Sequence, residues 1–311
     1  MALPEQPPRH LLDIQSLSDD DLTWLIARAQ ALAAGQTPSK IDRTVVNLFF
    51  EPSTRTRVSF ELAALRLNMR VISVERERSS STKGESLEDT AANLAAMGVD
   101  GLIIRHPETG RCHSLAGELA SPVQLLNAGD GSGHHPSQAL LDVATLASAG
   151  IALEGAQVAI VGDIVRSRVA SSDISAFLRC NVAEIRLSGP ESWMPESLPS
   201  RVSYYPTIVD AVEGADVIIM LRIQRERMEQ GVWPDGDDYH HQWGLRTEHL
   251  KIASPGCRVL HPGPINRGVE ISNEVADGER SLILQQVRMG VFMRMAIMEW
   301  LFGADEVLPR G

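Results

Sequence analysis

Four stretches of this 311-residue chain concentrate side chains able to do chemistry. The first is FFEPSTRTR (49–57), which follows an apolar β-type run and precedes Val58, Leu62 and Leu65, three residues on one helical face at i, i+4, i+7. That spacing carries a helix back to about Arg55, so its unpaired first N–H groups fall at Ser53, Thr54, Arg55 and Thr56. Three hydroxyls, a guanidinium and the positive end of a helix dipole then meet at one point, which makes a seat for a phosphate-like anion. The plainer alternative is a Ser/Thr-capped helix with two surface arginines.

The second stretch is GLIIRHPETG (101–110), where Arg105 ends an apolar strand and His106 begins a loop. A guanidinium at the carboxyl end of such a strand points toward the crevice where parallel sheets bind ligands, although a solvated strand-end arginine would read the same way. In the third, NAGDGSGHHPSQALLD (127–142), glycines 129, 131 and 133 permit a tight turn, and His135 and Gln138 then open a helix facing that crevice. The fourth set lies in the second half: Arg168 in VGDIVRSR, Arg222 and Gln224 in LRIQRER, and Pro262 and Gly263 in HPGPINRG. Singly, each arginine reads as a surface salt bridge; together, at equivalent strand ends, they read as a carboxylate site.

Other chemistries fit less well. The adjacent pairs His134-His135 and His240-His241 point in opposed directions on an extended chain and lack companion ligands, so a neutral histidine donating to an oxygen is preferred to a metal site. VGDIVRS lacks the GxGxxG spacing of a dinucleotide turn. No Ser/His/Asp arrangement or reactive cysteine is apparent.

These residues need a scaffold that presents strand ends. Ser18 followed by three acids opens a helix that stops at Gly35, and then short β-branched runs alternate with helical patterns. The runs are TVVNLFF, RVISVE, GLIIR and PVQLLNA, with helices at 55–67, 87–97 and 138–149 between or after them. From Gln157 the alternation restarts through QVAIVGD, EIRLSG, RVSYYP, DVIIML and RVLHPG. The expected fold is α/β: two doubly wound domains with parallel sheets, joined by helices, residues 1–150 and 151–287, with the active site in the cleft between them. The final helical stretch, about 279–302, is long enough for residues from about 288 onward to pack back on the first domain.

Composition bounds the rest. With 43% apolar and 22% charged residues the chain is globular, and 29 basic against 40 acidic residues, a net charge of −11, argue against nucleic acid and anionic membranes as partners. Three cysteines without a CxxC, no long apolar span and no signal-like start point to the cytoplasm. The polar run RERSSSTK (76–83) reads as a solvated loop.

FFEPSTRTRVSFE, Lys83-Gly84-Glu85, IIRHP, HPSQALLD, VGDIVRSR, LRIQRER and HPGPINRGVEI occur in the order and near the spacings of the carbamoyltransferases. From about Leu17 to the C-terminal helix the chain resembles the aspartate branch of that family, since it has HPGP where the ornithine enzymes carry HCLP. The resemblance implies transfer of the carbamoyl group of carbamoyl phosphate to L-aspartate in pyrimidine biosynthesis, without a covalent intermediate, cofactor or metal. It makes the first domain the carbamoyl phosphate domain and the second the aspartate domain. It implies that Ser53, Thr54, Arg55 and Thr56 cradle the phosphate, that Thr56, Arg105 and His135 attend the carbonyl oxygen, and that Gln138 holds the carbamoyl nitrogen. Pro262 and Gly263 would serve through backbone carbonyls, Gly263 replacing a side chain that the family carries there. Arg168, Arg222 and Gln224 would hold the aspartate carboxylates. Ser79 and Lys83 would reach into a neighbouring subunit's site, Lys83 touching both substrates, in a homotrimer to which regulatory or dihydroorotase-like chains could attach. The 231–245 loop, where the family closes a lid, matches poorly. The alternatives are an ornithine-type enzyme, a non-catalytic scaffold subunit of the same fold, and a nucleotide-binding oxidoreductase.

Overall fold

The computed structural model describes residues 9–75, 85–119, 122–224 and 236–303. Ser79 and Lys83, and residues 231–235 of the poorly matching loop, lie outside them. The chain divides into unit 1, residues 1–140 with 289–311, and unit 2, residues 141–288.

Unit 1 opens with α1 (Asp19–Ala33), whose N-cap Ser18 accepts from the Asp21 N–H and whose first turn holds three acids against the helix dipole. The strands β1 (Thr44–Phe49), β2 (Arg70–Glu75), β3 (Gly101–His106) and β4 (Gln124–Asp130) form a parallel sheet of order β2-β1-β3-β4. Strand β1 is buried from Val45 to Phe49 and β3 from Gly101 to Ile104, the continuous hydrophobic pattern of a sheet covered on both faces. Helices α2 (Thr54–Arg66), α3 (Leu87–Ala96) and α4 (Arg111–Glu118) connect the strands. The chain leaves β1 for β2 on one side and returns to β3 on the other, so the connections reverse direction between β1 and β3.

Helix α2 begins where the sequence spacing places it, but Val58, Leu62 and Leu65 are its exposed face, Leu65 at 63%, while Thr56, Phe60, Ala63 and Ala64 are buried. Periodicity identifies a face; tertiary packing decides which face turns inward.

Helix α5 (Pro136–Ser148) carries the chain from unit 1 to unit 2, and α11 (Ile283–Phe302) carries it back. In unit 1 the end of α11 is held by polar contacts: Glu299 accepts from Arg28 Nη2 at 2.9 Å and from the Ser39 N–H at 2.7 Å, and Trp300 Nε1 donates to Asp21 at 2.7 Å. The Arg294 guanidinium lies 4.8 Å over the Phe60 ring.

Unit 2 is a parallel sheet of order β7-β6-β5-β8-β9, made of β5 (Gln157–Val161), β6 (Glu184–Ser188), β7 (Val202–Tyr204), β8 (Val217–Met220) and β9 (Arg258–Leu260). Its helices are α6 (Arg168–Arg179), α7 (Ile208–Val212), α8 (Gly236–Trp243), α9 (Thr247–Ile252) and α10 (Asn273–Ala276). Connections here reverse between β5 and β8. The segment 236–243 is thus helical and not loop, with Tyr239 fully buried against Trp193 at a ring separation of 5.7 Å. His240 and His241 accordingly sit on a helix and not on an extended chain; the His240 ring nitrogen bonds the Val269 carbonyl at 2.9 Å.

Candidate functional site

In each unit the candidate residues follow the carboxyl ends of strands: the two where the connections reverse, the place where open parallel sheets bind ligands, and one neighbour, β4 for His135 and Gln138 and β9 for Pro262 and Gly263. In unit 1 the reversing strands are β1 and β3, paired with Phe49 opposite Arg105.

The N-terminus of α2 differs from the other helices with a Ser or Thr N-cap. Ser18, Ser86, Ser167, Thr207 and Ser272 each accept a hydrogen bond from a first-turn N–H of their own helix. Ser53 makes no such cap; its Oγ instead donates to Thr56 Oγ1 at 2.9 Å. Helix α2 also has no acid in its first turn. The first-turn amides and the dipole are left without a side-chain anion of their own, which is the electrostatic preparation an incoming phosphate requires. Thr56 is buried, and Ser53, Thr54 and Arg55 lie around it at the helix start.

Arg105 belongs to β3, which continues one residue further than its sequence suggests and bulges between Ile104 and His106. Its Nη1 donates to the Ala128 carbonyl at 3.2 Å, and its Nη2 lies 3.4 Å from Glu51 Oε2. Glu51, which sequence reading passed over, tethers the guanidinium beside the start of α2; an acid within a basic, hydroxyl-rich turn was the available signal. His135 and Gln138 are buried at the start of α5, with the Gln138 N–H donating to the His135 carbonyl at 2.9 Å.

The turn before His135 is organised by a further unanticipated residue, Asp130. Fully buried, it accepts from the His134 N–H at 2.8 Å, Asn127 Nδ2 at 3.1 Å and the Gly110 N–H at 2.9 Å. Gly131 sits at φ 47°, and a Cβ there would come within 2.5 Å of the Thr109 backbone nitrogen. Glycine is required by both conformation and space.

In unit 2 the reversing strands are β5 and β8, paired with Val161 opposite Met220. After β5, Gly162 at φ 133° passes close to Leu221. The buried Asp163 then accepts from Arg166 Nη1 at 3.1 Å, and Ser167 caps α6, whose first residue is the buried Arg168. After β8, Arg222 and Gln224 are half-buried. Beyond β9 the buried His261 accepts at Nδ1 from the Gly263 N–H at 2.8 Å, which shapes the turn carrying Pro262 and Gly263. That acceptor role leaves the ring proton on Nε2, directed toward the buried Glu270 at 3.7 Å.

Burial raises the Cys257 thiol to about 12 and pushes Cys112 and Cys180 up as well, so none is a ready thiolate. Among the described residues no group of three His, Cys, Asp or Glu side chains could hold a metal ion, and no helix is long and apolar enough to cross a membrane.

A family model described as the aspartate/ornithine carbamoyltransferase carbamoyl-P binding domain matches residues 9–148, and its companion, the Asp/Orn binding domain, matches residues 154–301. The aspartate carbamoyltransferase catalytic subunit of Stenotrophomonas maltophilia (strain K279a) is 46% identical over 304 residues, 95% of this chain and 96% of its own. That of Sorangium cellulosum (strain So ce56) is 47% identical over 96% of this chain and 94% of its own. Among solved structures, aspartate transcarbamoylase from Trypanosoma cruzi in complex with carbamoyl aspartate and phosphate matches with a TM-score of 0.82 at 29% identity, over 94% of this chain and 95% of that one. The same enzyme in complex with carbamoyl phosphate and aspartate matches with a TM-score of 0.81 at 27% identity, over 94% of this chain and 96% of that one.

Proposed function

The chain belongs to the aspartate/ornithine carbamoyltransferase family, and on that premise we infer that it transfers the carbamoyl group of carbamoyl phosphate to the amine of L-aspartate, giving N-carbamoyl-L-aspartate and phosphate. The similarity of nearly the whole chain to aspartate carbamoyltransferase catalytic subunits favours this over the ornithine reaction and over a scaffold subunit. The single observation that carries the site assignment is the uncapped, acid-free N-terminus of α2 at the β1/β3 reversal.

The reaction is attack by a neutral amine on the carbamoyl carbon, through a tetrahedral oxyanion, with phosphate as leaving group. Ser53, Thr54, Arg55 and the α2 amides take the phosphate, whose leaving charge the dipole and guanidinium stabilise. Thr56, Arg105 and His135 act on the carbonyl oxygen, where negative charge develops, and Gln138 holds the carbamoyl nitrogen. Arg168, Arg222 and Gln224 bind the aspartate carboxylates, with Arg suited to bidentate pairing. Pro262 and Gly263 offer backbone carbonyls to the transferred group. The departing phosphate is the base available to take the amine proton.

The assembly is a homotrimer in the cytoplasm, acting in pyrimidine biosynthesis, with Ser79 and Lys83 supplied to the next subunit's site. An exposed apolar stripe in unit 1 supports such an association: Val58, Leu62 and Leu65 on α2, with Ile72 exposed on the edge strand β2.

The test is phosphate release from carbamoyl phosphate with a panel of amino acids. L-Aspartate supports turnover and L-ornithine does not; the reverse preference, or none, overturns the assignment.

A further inference from the structure

Beyond β9 the chain turns through His261-Pro262-Gly263-Pro264. The Pro262 ring locks its own φ, whereas Gly263, at φ 66°, has no Cβ and can take either sign of φ. The peptide unit between them is therefore the loose part of the turn, and rotating it is the flip that separates type I from type II turns. A four-residue turn is commonly tied by the N–H of its fourth residue, which Pro264 lacks.

The tie comes instead from the first side chain, since His261 Nδ1 accepts from the Gly263 N–H at 2.8 Å. His261 is itself anchored. It is buried, its backbone N–H donates to Gln286 Oε1 of α11 at 2.9 Å, and Gln286 Nε2 donates to Asp142 of α5 at 2.7 Å. At the other edge of the ring stands Glu270, fully buried, with Oε1 3.7 Å from His261 Nε2 and accepting from Asn266 Nδ2 at 3.0 Å. A carboxylate there favours the ring proton on Nε2 and leaves the Nδ1 lone pair to Gly263.

The Gly263 N–H and the Pro262 C=O belong to one planar trans peptide, so they point in opposite directions. Fixing the N–H toward the imidazole fixes the carbonyl away from it. We propose that His261 is a positioning residue for carbamoyl transfer: it aims the Pro262 carbonyl, and Glu270 keeps the ring in the form that can do so. The inference rests on the reading of that carbonyl as a contact of the transferred group.

The experiment compares the wild-type enzyme with His261→Asn and His261→Leu. Asparagine carries its oxygen on Cγ, where the imidazole carries Nδ1, so it can accept from the N–H two residues on, as in an Asx turn; leucine fills the space without an acceptor. His261 and Gly263 hold the only amides of residues 261–264, so hydrogen exchange of that segment, read by mass spectrometry, reports the bond directly. In the Leu variant the Gly263 amide exchanges about tenfold faster or more, and kcat/KM for carbamoyl phosphate falls about tenfold or more while the aspartate KM stays within about twofold. In the Asn variant the exchange rate and kcat/KM both stay within about threefold of wild type. An Asn variant as impaired as the Leu variant, or a Leu variant with wild-type kinetics, overturns the proposal. Should the Leu variant not fold, His261→Gln, whose oxygen sits one bond further out, takes its place with the same expectations. Should the wild type carbamoylate no aspartate, the reading of the site fails and the positioning role with it, while the exchange still shows whether His261 holds the turn.

Discussion

Recognition of two anions by a chain of net charge −11 is settled side chain by side chain. Arg105 is held by the Ala128 carbonyl and Glu51, and Thr56 by Ser53, so the groups assigned to the carbonyl oxygen are constrained before substrate arrives. Donors fixed in advance need no reorganisation as charge develops. His135→Ala or Thr56→Val is therefore expected to lower kcat by about a hundred- to a thousand-fold with a much smaller effect on the aspartate KM, measured by steady-state phosphate release. Arg222→Ala removes a charge-assisted contact to a carboxylate, and the aspartate KM should rise about 10- to 100-fold; an unchanged KM would remove Arg222 from the site. The thiols carry no chemistry in this scheme: with Cys257 raised to about 12 and Cys112 higher still, alkylation of the native enzyme near pH 8 should leave both unmodified by mass spectrometry.

Elements turn these side chains into sites by ending at the right places. The reversal between β1 and β3 brings the start of α2 beside Arg105, and the reversal between β5 and β8 brings the start of α6 beside Arg222. The turn from β4 into α5 depends on Gly131, where any side chain meets both a left-handed backbone and the Thr109 backbone. Gly131→Ala should cost at least about 1–3 kcal/mol in thermal or denaturant unfolding and lower activity by displacing His135. The return of α11 into unit 1 depends on Glu299, fully buried between Arg28 and the Ser39 N–H. Glu299→Gln should cost about 1.5–3 kcal/mol, discounted only slightly because the Arg28 side chain is 12% exposed.

For the whole molecule, the surface charge favours solubility, while the arginines and helix ends assigned to the proposed site would focus positive potential there. The trimer reading predicts a native mass of three chains by light scattering. Leu65→Glu places a charge in the exposed apolar stripe, and should leave the secondary structure intact while shifting that mass downward and lowering activity, because Ser79 and Lys83 would no longer reach a neighbour.

Strand runs, most helix starts and the residues at strand ends were legible in the chain itself, because caps, periodicity and β-branched runs act between covalent near neighbours. Ser18 before three acids and the alternation from Thr44 onward are patterns of that kind. The inward face of α2, the tether from Glu51 to Arg105 and the helix at Gly236–Trp243 were not legible. Nor was the meeting of Asp142 and Gln286. Asp142 and Gln286 stand 144 positions apart, and their hydrogen bond exists only because the crossovers of a parallel sheet bring α5 and α11 together. Spacing along the chain determined which residue types were available at each strand end; packing of distant segments decided which were buried and which were paired.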